Sequence, residues 1–226
     1  MSNRDFIVFD FETGSRNPLT TQPTQIAAIA LDGRNLSMKG SFNSEIKPIL
    51  DDEKAIAAGL DPIEDGALRV TGKNRKDLAK APSLKPVWKK FCSFVDQYNW
   101  KKDPFFNPIP VGFNIIGFDM IIINRLCKEY GPFDDVRQQQ KIFSKIHKCD
   151  VMDNMHMWTE GDPSIRSISM DTLRERMGLS TENAHDALQD VKDTANIFIK
   201  LLKTHRAVYQ EIELEKAFAN GNLYVS

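Results

Sequence analysis

The chain has 226 residues, of which 41% are hydrophobic and 27% charged, and its formal net charge is −1. These values are typical of a globular protein, and the length allows one sizeable α/β domain. No run approaches the roughly 20 apolar residues of a membrane span, and the polar start MSNRD is not a signal peptide. The three cysteines, Cys92, Cys127 and Cys149, form no CxxC pair. Composition therefore argues against a membrane protein and a disulfide scaffold, and it predicts reduced thiols in a cytosolic compartment.

The first third of the chain alternates strand patterns with turn residues. Three strands are predicted, at FIVFDFET, QIAAIALDG and SMKGSFNSEIKP. Two short helices are predicted at DDEKAIAAGL and PIEDGALRV, with breaks at Gly59 to Pro62 and around Thr71 and Gly72. A longer helix follows in residues 81–98, where apolar residues recur at positions 84, 87, 88, 91, 94, 95 and 98.

The second half predicts two more strands and three helices. A short buried strand is expected at 109–114, and a helix at 119–131 would begin at Asp119 and end at Gly131. HKCDV near residue 150 predicts a fifth strand that leads into a short helix, and helices at 170–179 and 185–205 follow. This order indicates one mixed sheet flanked by helices. We expect a single domain over 1–226, with its core at about 5–205 and a C-terminal extension at 206–226.

The last predicted helix carries a carboxylate at the edge of its apolar face. At about 100° per residue, Leu188, Val191 and Phe198 belong to one apolar row, and Asp190 belongs to the row beside it. Asp190 is therefore expected at the edge of the inward face. The same projection puts Asp193 on the solvent side.

Two further acids end the first strand. Alternate residues of a strand point to one face, so Asp10 and Glu12 should lie about 7 Å apart on one side, with Phe9 and Phe11 on the other. Asp119 follows another strand, and ligand sites of α/β sheets form at strand ends. Four converging acids cannot all stay ionised unless a cation neutralises them. Hard oxygen ligands of this kind favour Mg²⁺ or Mn²⁺.

Three segments carry a resemblance to a known family. DFETG, NIIGFD and HDALQD, in that order, resemble the three motifs of the DEDDh (DnaQ-like) 3′–5′ exonucleases, a branch of the ribonuclease H-like superfamily. The resemblance covers roughly residues 6–202. PTQIAAIALD and LRVTG are similar to the same regions of exonuclease I and of phage-encoded exodeoxyribonucleases. The family fold is α/β and ribonuclease H-like, with a mixed five-stranded β-sheet flanked by α-helices.

The resemblance also implies a site and an activity. Its metal ligands, which would hold two Mg²⁺ (or Mn²⁺) ions, are Asp10, Glu12, Asp119 and Asp190. His185 would be the general base, a role that suits a histidine because its pKa lies near neutrality. The 3′-terminal nucleotide would lie against Thr13 and Gly14, with Asn114 and Phe118 lining the pocket.

The implied reaction is the release of nucleoside 5′-monophosphates from 3′ ends of mainly single-stranded DNA, in the cytoplasm of a bacterium or a phage-infected host. Two alternatives are a 3′–5′ exoribonuclease that trims short RNA and a non-catalytic subunit that binds nucleic acid or a polymerase. A polymerase or replication partner is compatible with the enzymatic reading as well.

A basic segment at 69–102 contains ten Lys and Arg against two acids. It predicts either a solvated helix face or a surface that follows the phosphates of the upstream strand. Of the aromatic residues in and after it, Trp88 belongs to the apolar stripe of a helix and is expected in the core. Trp100, Phe105 and Phe106 could stack on bases.

A second group of potential ligands lies in HKCDVMDNMH. It consists of His147, Cys149, Asp153 and His156. The spacing is loosely zinc-like, but no second pair completes a four-ligand set. We therefore expect these residues to serve core and surface packing.

Overall fold

The computed structural model describes residues 4–179 and 186–211. Its strands are β1 Phe6–Thr13, β2 Pro23–Leu31, β3 Met38–Glu45, β4 Ile109–Gly112, β5 Phe133–Asp134, β6 Gln139–Gln140 and β7 Cys149–Asp150. Five of them form one sheet in the order β3-β2-β1-β4-β7, and β5 pairs with β6 separately. β1 is antiparallel to β2 and parallel to β4, and β4 is parallel to β7. The prediction of a mixed five-stranded sheet is confirmed.

Eight α-helices surround the sheet in the described part of the chain. They are α1 Asp52–Ala57, α2 Asp65–Val70, α3 Arg75–Leu78, α4 Leu84–Asp96, α5 Asp119–Tyr130, α6 Val151–Thr159, α7 Met170–Met177 and α8 Ala187–Glu211. A short 3-10 helix spans Pro104–Phe106. Gly59 and Gly72, with φ of +73° and +65°, follow α1 and α2 closely, as expected for residues that end a helix. No helix within 4–179 or 186–211 has the length and apolar character needed to cross a membrane.

The two faces of the sheet bury two separate cores. Phe9 and Phe11 pack with α4 and α5, whereas Phe6 and Val8 pack with α6, α7 and α8. On the second face the rings of Phe6 and Phe198 lie 4.9 Å apart. Because strand residues alternate, Asp10 and Glu12 continue the face of β1 that meets α8.

Trp88 lies in the first core, as its place in the stripe of α4 predicts. Its side chain is 2% exposed, and its Nε1 donates to the carbonyl oxygen of Gly131 at 2.7 Å. Trp100 and Phe105 are 59% and 66% exposed. Lys101 Nζ lies 4.7 Å from the ring centre of Trp100 and 4.2 Å from that of Phe106.

The prediction that Asp193 faces water is wrong. Asp193 is 3% exposed, and its Oδ2 accepts a hydrogen bond from Nε of Arg174 at 2.8 Å. The helix projection assumed that α8 has a single buried face, the one that carries its apolar rows. In the structure α7 also packs on α8, and its buried guanidinium compensates the charge that burial of Asp193 would otherwise penalise.

Candidate active site

Three carboxylates converge where β1 meets the first turn of α8. Asp10, Glu12 and Asp190 each offer an oxygen within 4.8 Å of the others, and all three side chains are half-buried. Two features of the fold bring them together: Asp10 and Glu12 lie on the α8 face of β1, and Asp190 occurs in the first turn of that helix. Among the residues that the structure describes, this is the one group of three or more His, Cys, Asp or Glu side chains close enough to share an ion.

Asp119 lies beside this cluster without being part of it. It is the first residue of α5, is 3% exposed, and its Oδ1 accepts the backbone N–H of Phe11 at 3.1 Å. The bond ties Asp119 to the strand residue between Asp10 and Glu12. The structure therefore brings three of the predicted metal ligands together and places the fourth next to them.

Burial and mutual repulsion make these acids reluctant to ionise. Burial, with the charges of Asp119 and Glu12, raises the pKa of Asp10 well above its ordinary value. Burial and the charge of Asp190 raise the pKa of Glu12 to about 8. Burial raises the pKa of Asp119 to about 7, against the opposing hydrogen bond from Phe11. A bound divalent cation would favour the ionised carboxylates, because its charge offsets both their burial and their mutual repulsion. This set of hard oxygen donors therefore fits Mg²⁺ or Mn²⁺.

Lys73 is a neighbour of the cluster that the sequence did not reveal. Its side chain is 8% exposed, although it belongs to the basic segment expected on the surface. Nζ donates to Oε1 of Gln25 at 2.6 Å, and Gln25 stands opposite Glu12 in the β1–β2 register. The charge of Lys73 lowers the pKa of Glu12 and so offsets part of the effect of burial. Gly72, just before Lys73, predicts a turn, but a turn does not indicate that the next side chain will be buried.

Arg174 is a second residue that sequence reasoning missed. Its side chain is fully buried, and Nη2 donates to Oδ1 of Asp190 at 2.5 Å. One signal was present: Met170, Leu173, Arg174 and Met177 recur at the spacing of a buried helix face. An arginine in an apolar stripe indicates a buried anionic partner.

Asp150 organises the loop that leads to Asp119. Its carboxylate accepts the backbone N–H groups of Asn114 at 2.9 Å, Ile116 at 3.1 Å and Met152 at 3.1 Å. Asn114 is held at a φ of +58°, a conformation that asparagine tolerates better than most residues. The turn between β4 and α5 therefore rests on a buried acid from β7.

The predicted substrate-binding residues border two different cavities. Thr13 and Phe118 line a cavity of about 540 Å³ that also contains Glu12, Arg16 and Arg69. Asn114 lines another, of about 630 Å³, together with Asp153 and His156. Gly14 follows Thr13 without lining either cavity, and a Cβ atom at this position would approach Cδ1 of Ile63 to 2.2 Å. His185, the predicted general base, lies outside the described residues.

The alternative ligand group does not assemble within the described ranges. His147, Cys149, Asp153 and His156 form no cluster of three or more ligand atoms there. Cys149 and Asp150 are neighbours in β7, where successive side chains alternate.

A comparison with protein-family models tests the resemblance that the three ordered motifs suggested. The model for exonucleases matches residues 7–198. The chain belongs to this exonuclease family. The resemblance to DEDDh (DnaQ-like) enzymes, first drawn from three short motifs, is confirmed over most of the chain.

Relatives and solved structures agree with the assignment. The chain is 24% identical over 198 residues to DNA polymerase III subunit epsilon of Aquifex aeolicus, covering 88% of this chain and 80% of that protein. It is 23% identical over 199 residues to the PolC-type DNA polymerase III of Caldanaerobacter subterraneus subsp. tengcongensis, covering 88% of this chain but 12% of the polymerase.

Among solved structures, exonuclease I matches with a TM-score of 0.67 and 20% identity over 94% of this chain and 44% of the other. The zinc-bound complex of the E. coli enzyme with single-stranded DNA matches with a TM-score of 0.66 and 21% identity, covering 91% of this chain and 42% of that one. The fold is ribonuclease H-like, and this chain spans less than half of the exonuclease I chain.

Proposed function

We propose that this chain is a metal-dependent 3′–5′ exonuclease that releases nucleoside 5′-monophosphates from the 3′ ends of mainly single-stranded DNA. One observation carries the proposal: Asp10, Glu12 and Asp190 converge within 4.8 Å in a chain of the exonuclease family. We further propose that residues 1–226 act as a single exonuclease domain.

The proposed chemistry divides between bound ions and the chain. Two divalent ions, when bound, supply charge stabilisation for the phosphodiester and activation of the attacking water. Asp10, Glu12, Asp119 and Asp190 are proposed to hold them. His185 is proposed to accept the proton of the attacking water. It precedes Asp186, whose Oδ1 caps α8 through the N–H of Leu188 and whose Oδ2 accepts from Gln25.

The cavity beside Glu12 is proposed to bind the 3′-terminal nucleotide. At about 540 Å³ it has room for one nucleotide, and Phe118 offers an aromatic face there. Arg16 and Arg69 line the same cavity and suit phosphate oxygens. Thr13 and Gly14 are proposed to approach the terminal sugar. Asn114, on the second cavity, is proposed to contact the nucleotide on the 5′ side of the terminal one.

DNA is proposed as the substrate on the strength of the relatives. Two of them are named as DNA polymerase III proteins, and one solved structure is a complex of exonuclease I with single-stranded DNA. The same names support a polymerase partner. Three free thiols support a reducing cytoplasmic setting.

The deciding experiment follows nucleotide release from single-stranded DNA, duplex DNA and RNA of one sequence, labelled at the 5′ end, with Mg²⁺. A ladder that shortens from the 3′ end, fastest for single-stranded DNA and abolished by EDTA, is expected. Asp10→Ala and Asp190→Ala should abolish it, whereas Asp135→Ala, which removes an exposed acid outside both cavities, should not. A wild-type rate in either cluster variant would refute the metal assignment. A faster ladder on RNA would make this an exoribonuclease, and saturable binding without any ladder would favour a silent subunit.

A further inference from the structure

Arg174 is a buried residue that contacts three acids, two of them buried or half-buried and one, Asp171, exposed. Its side chain has no exposed surface, and each of its three nitrogens donates to a different acid. Nε donates to Asp193 at 2.8 Å, Nη2 to Asp190 at 2.5 Å and Nη1 to Asp171 at 3.1 Å. α7 is thereby joined to the first two turns of α8.

Asp193 anchors the guanidinium in a fixed orientation. Its Oδ2 accepts from Arg174, and its Oδ1 accepts from Nε2 of Gln189 at 2.9 Å. Both oxygens of this buried acid therefore have donors, and its carboxylate cannot rotate without breaking one of them. A planar guanidinium held at Nε can present Nη2 in few directions.

The fixed guanidinium in turn restrains Asp190. The bond from Nη2 to Oδ1 limits rotation of this carboxylate about its Cβ–Cγ bond, and so sets the direction of Oδ2. Asp190 belongs to the cluster with Asp10 and Glu12, so this restraint acts on one wall of the candidate metal site. Outer partners that orient ligating carboxylates commonly decide how well an ion is held.

A purely electrostatic role for Arg174 predicts the opposite effect. A buried cation near a metal site repels the ion, so its removal would strengthen metal binding if charge alone mattered. Positioning and charge balance can therefore be told apart by the sign of one measurement.

We propose that Arg174 is a positioning residue, which holds Asp190 in the orientation that binds a divalent cation and is itself held by Asp193. The proposal rests on the metal site of the proposed function. It makes Arg174 necessary for ion affinity although no atom of Arg174 is a ligand.

The test is calorimetric titration with Mn²⁺, which requires no turnover. Arg174→Met leaves Asp193 buried without its cation and could unfold the chain, so the main variant combines Arg174→Met with Asp193→Asn and removes both buried charges together. Arg176→Met is the matched control, because Arg176 lies on the same helix, is exposed, and donates to the carbonyl oxygen and the hydroxyl of Ser164. Thermal melts in EDTA establish the temperature at which each variant is folded.

The double variant is expected to bind Mn²⁺ about 10- to 100-fold more weakly than wild type, with kcat for nucleotide release reduced and KM for the oligonucleotide unchanged. Arg176→Met should match wild type. Unchanged or tighter Mn²⁺ binding by the folded double variant would overturn the proposal and leave Arg174 a charge-balancing role. If the wild-type chain itself bound no Mn²⁺, the metal site would fail and this inference with it. The two failures are thus distinguishable.

Discussion

The backbone N–H of Phe11 donates to Oδ1 of Asp119 at 3.1 Å, which joins the middle of the β1 acid pair to the first residue of α5. β4 ends at Gly112, and its pairing with β1 ends at Val8. Asp119 therefore satisfies a strand amide for which β4 provides no partner. One carboxylate thus serves both as a substitute strand partner and as a candidate ligand.

This dual role predicts different outcomes for two substitutions at Asp119. Asp119→Asn keeps an oxygen acceptor for Phe11 and removes a charge whose burial is unfavourable, so stability in EDTA should be equal to wild type or higher. Asp119→Ala leaves a buried amide unpaired and should lower the free energy of unfolding by about 1–3 kcal/mol. Both should lose nucleotide release. Urea denaturation and the labelled-oligonucleotide assay measure the two effects, and equal stability of the two variants would contradict the role of the hydrogen bond.

The raised carboxyl pKa values predict how stability without metal depends on pH. Unfolded Asp and Glu have pKa values near 4, whereas the folded chain holds Glu12 at about 8 and Asp119 at about 7. Between these values the folded state keeps protons that the unfolded state releases, so stability should fall as pH rises from about 5 to 8. Thermal melts in EDTA test this, and Mg²⁺ should reverse the fall. Glu12→Gln should show a shallower pH dependence than wild type, and an identical slope would count against the assignment.

Replacing Lys73 should change the pKa of Glu12. Because its charge lowers the pKa of Glu12, Lys73→Met should raise that pKa further and move the rising limb of the Mg²⁺-dependent pH–rate profile to higher pH. Lys76→Met removes an exposed charge three residues away and is the matched control. Superimposable profiles for Lys73→Met and wild type would show that Lys73 does not act on the site.

The exposed lysines of α4 allow a test of the basic segment. Lys85, Lys89 and Lys90 are exposed on this helix, and the segment begins with Arg69 in the cavity beside Glu12. If they contact phosphates of the upstream strand, replacing all three by Gln should raise KM for a long single strand without changing kcat. The slope of log affinity against log salt should become shallower by about 0.7 per lost contact. A dinucleotide substrate, which has no upstream strand beyond its single phosphodiester, is the control. An unchanged salt slope would show that these lysines form a solvated helix face and do not contact the substrate.

Long periodic patterns made most of the fold predictable. α4 and α5 bury apolar side chains at helical spacing, whereas β1 and β2 contain continuous buried runs, and both patterns are visible in the sequence alone. α3 and the β5–β6 pair have two to four residues per element and therefore carry no period. Such short elements depend on contacts with neighbouring segments, which the local sequence pattern does not reveal.

Some residues of the candidate site could be predicted from the sequence and others could not. Asp10 and Glu12 stood out because acids at the end of a buried strand are unfavourable without a partner. The partnership of Arg174 with Asp190 and Asp193 could not be predicted, since it depends on how α7 packs on α8. A helix projection describes one cylinder against one surface, and Asp193 was misplaced because its partner comes from a different helix.

The face of β1 that continues from Phe6 and Val8 into Asp10 and Glu12 also determines when the site first exists. α8 covers the apolar part of that face and brings Asp190 to its acidic end, so the three-carboxylate cluster is complete only when α8 docks. Asp190 follows every strand of the five-stranded sheet along the chain, so those strands are synthesised before it. A nascent chain therefore displays two acids of the cluster long before it can hold an ion between three. The candidate metal site is therefore expected to form late in folding, after the sheet that carries its first two acids.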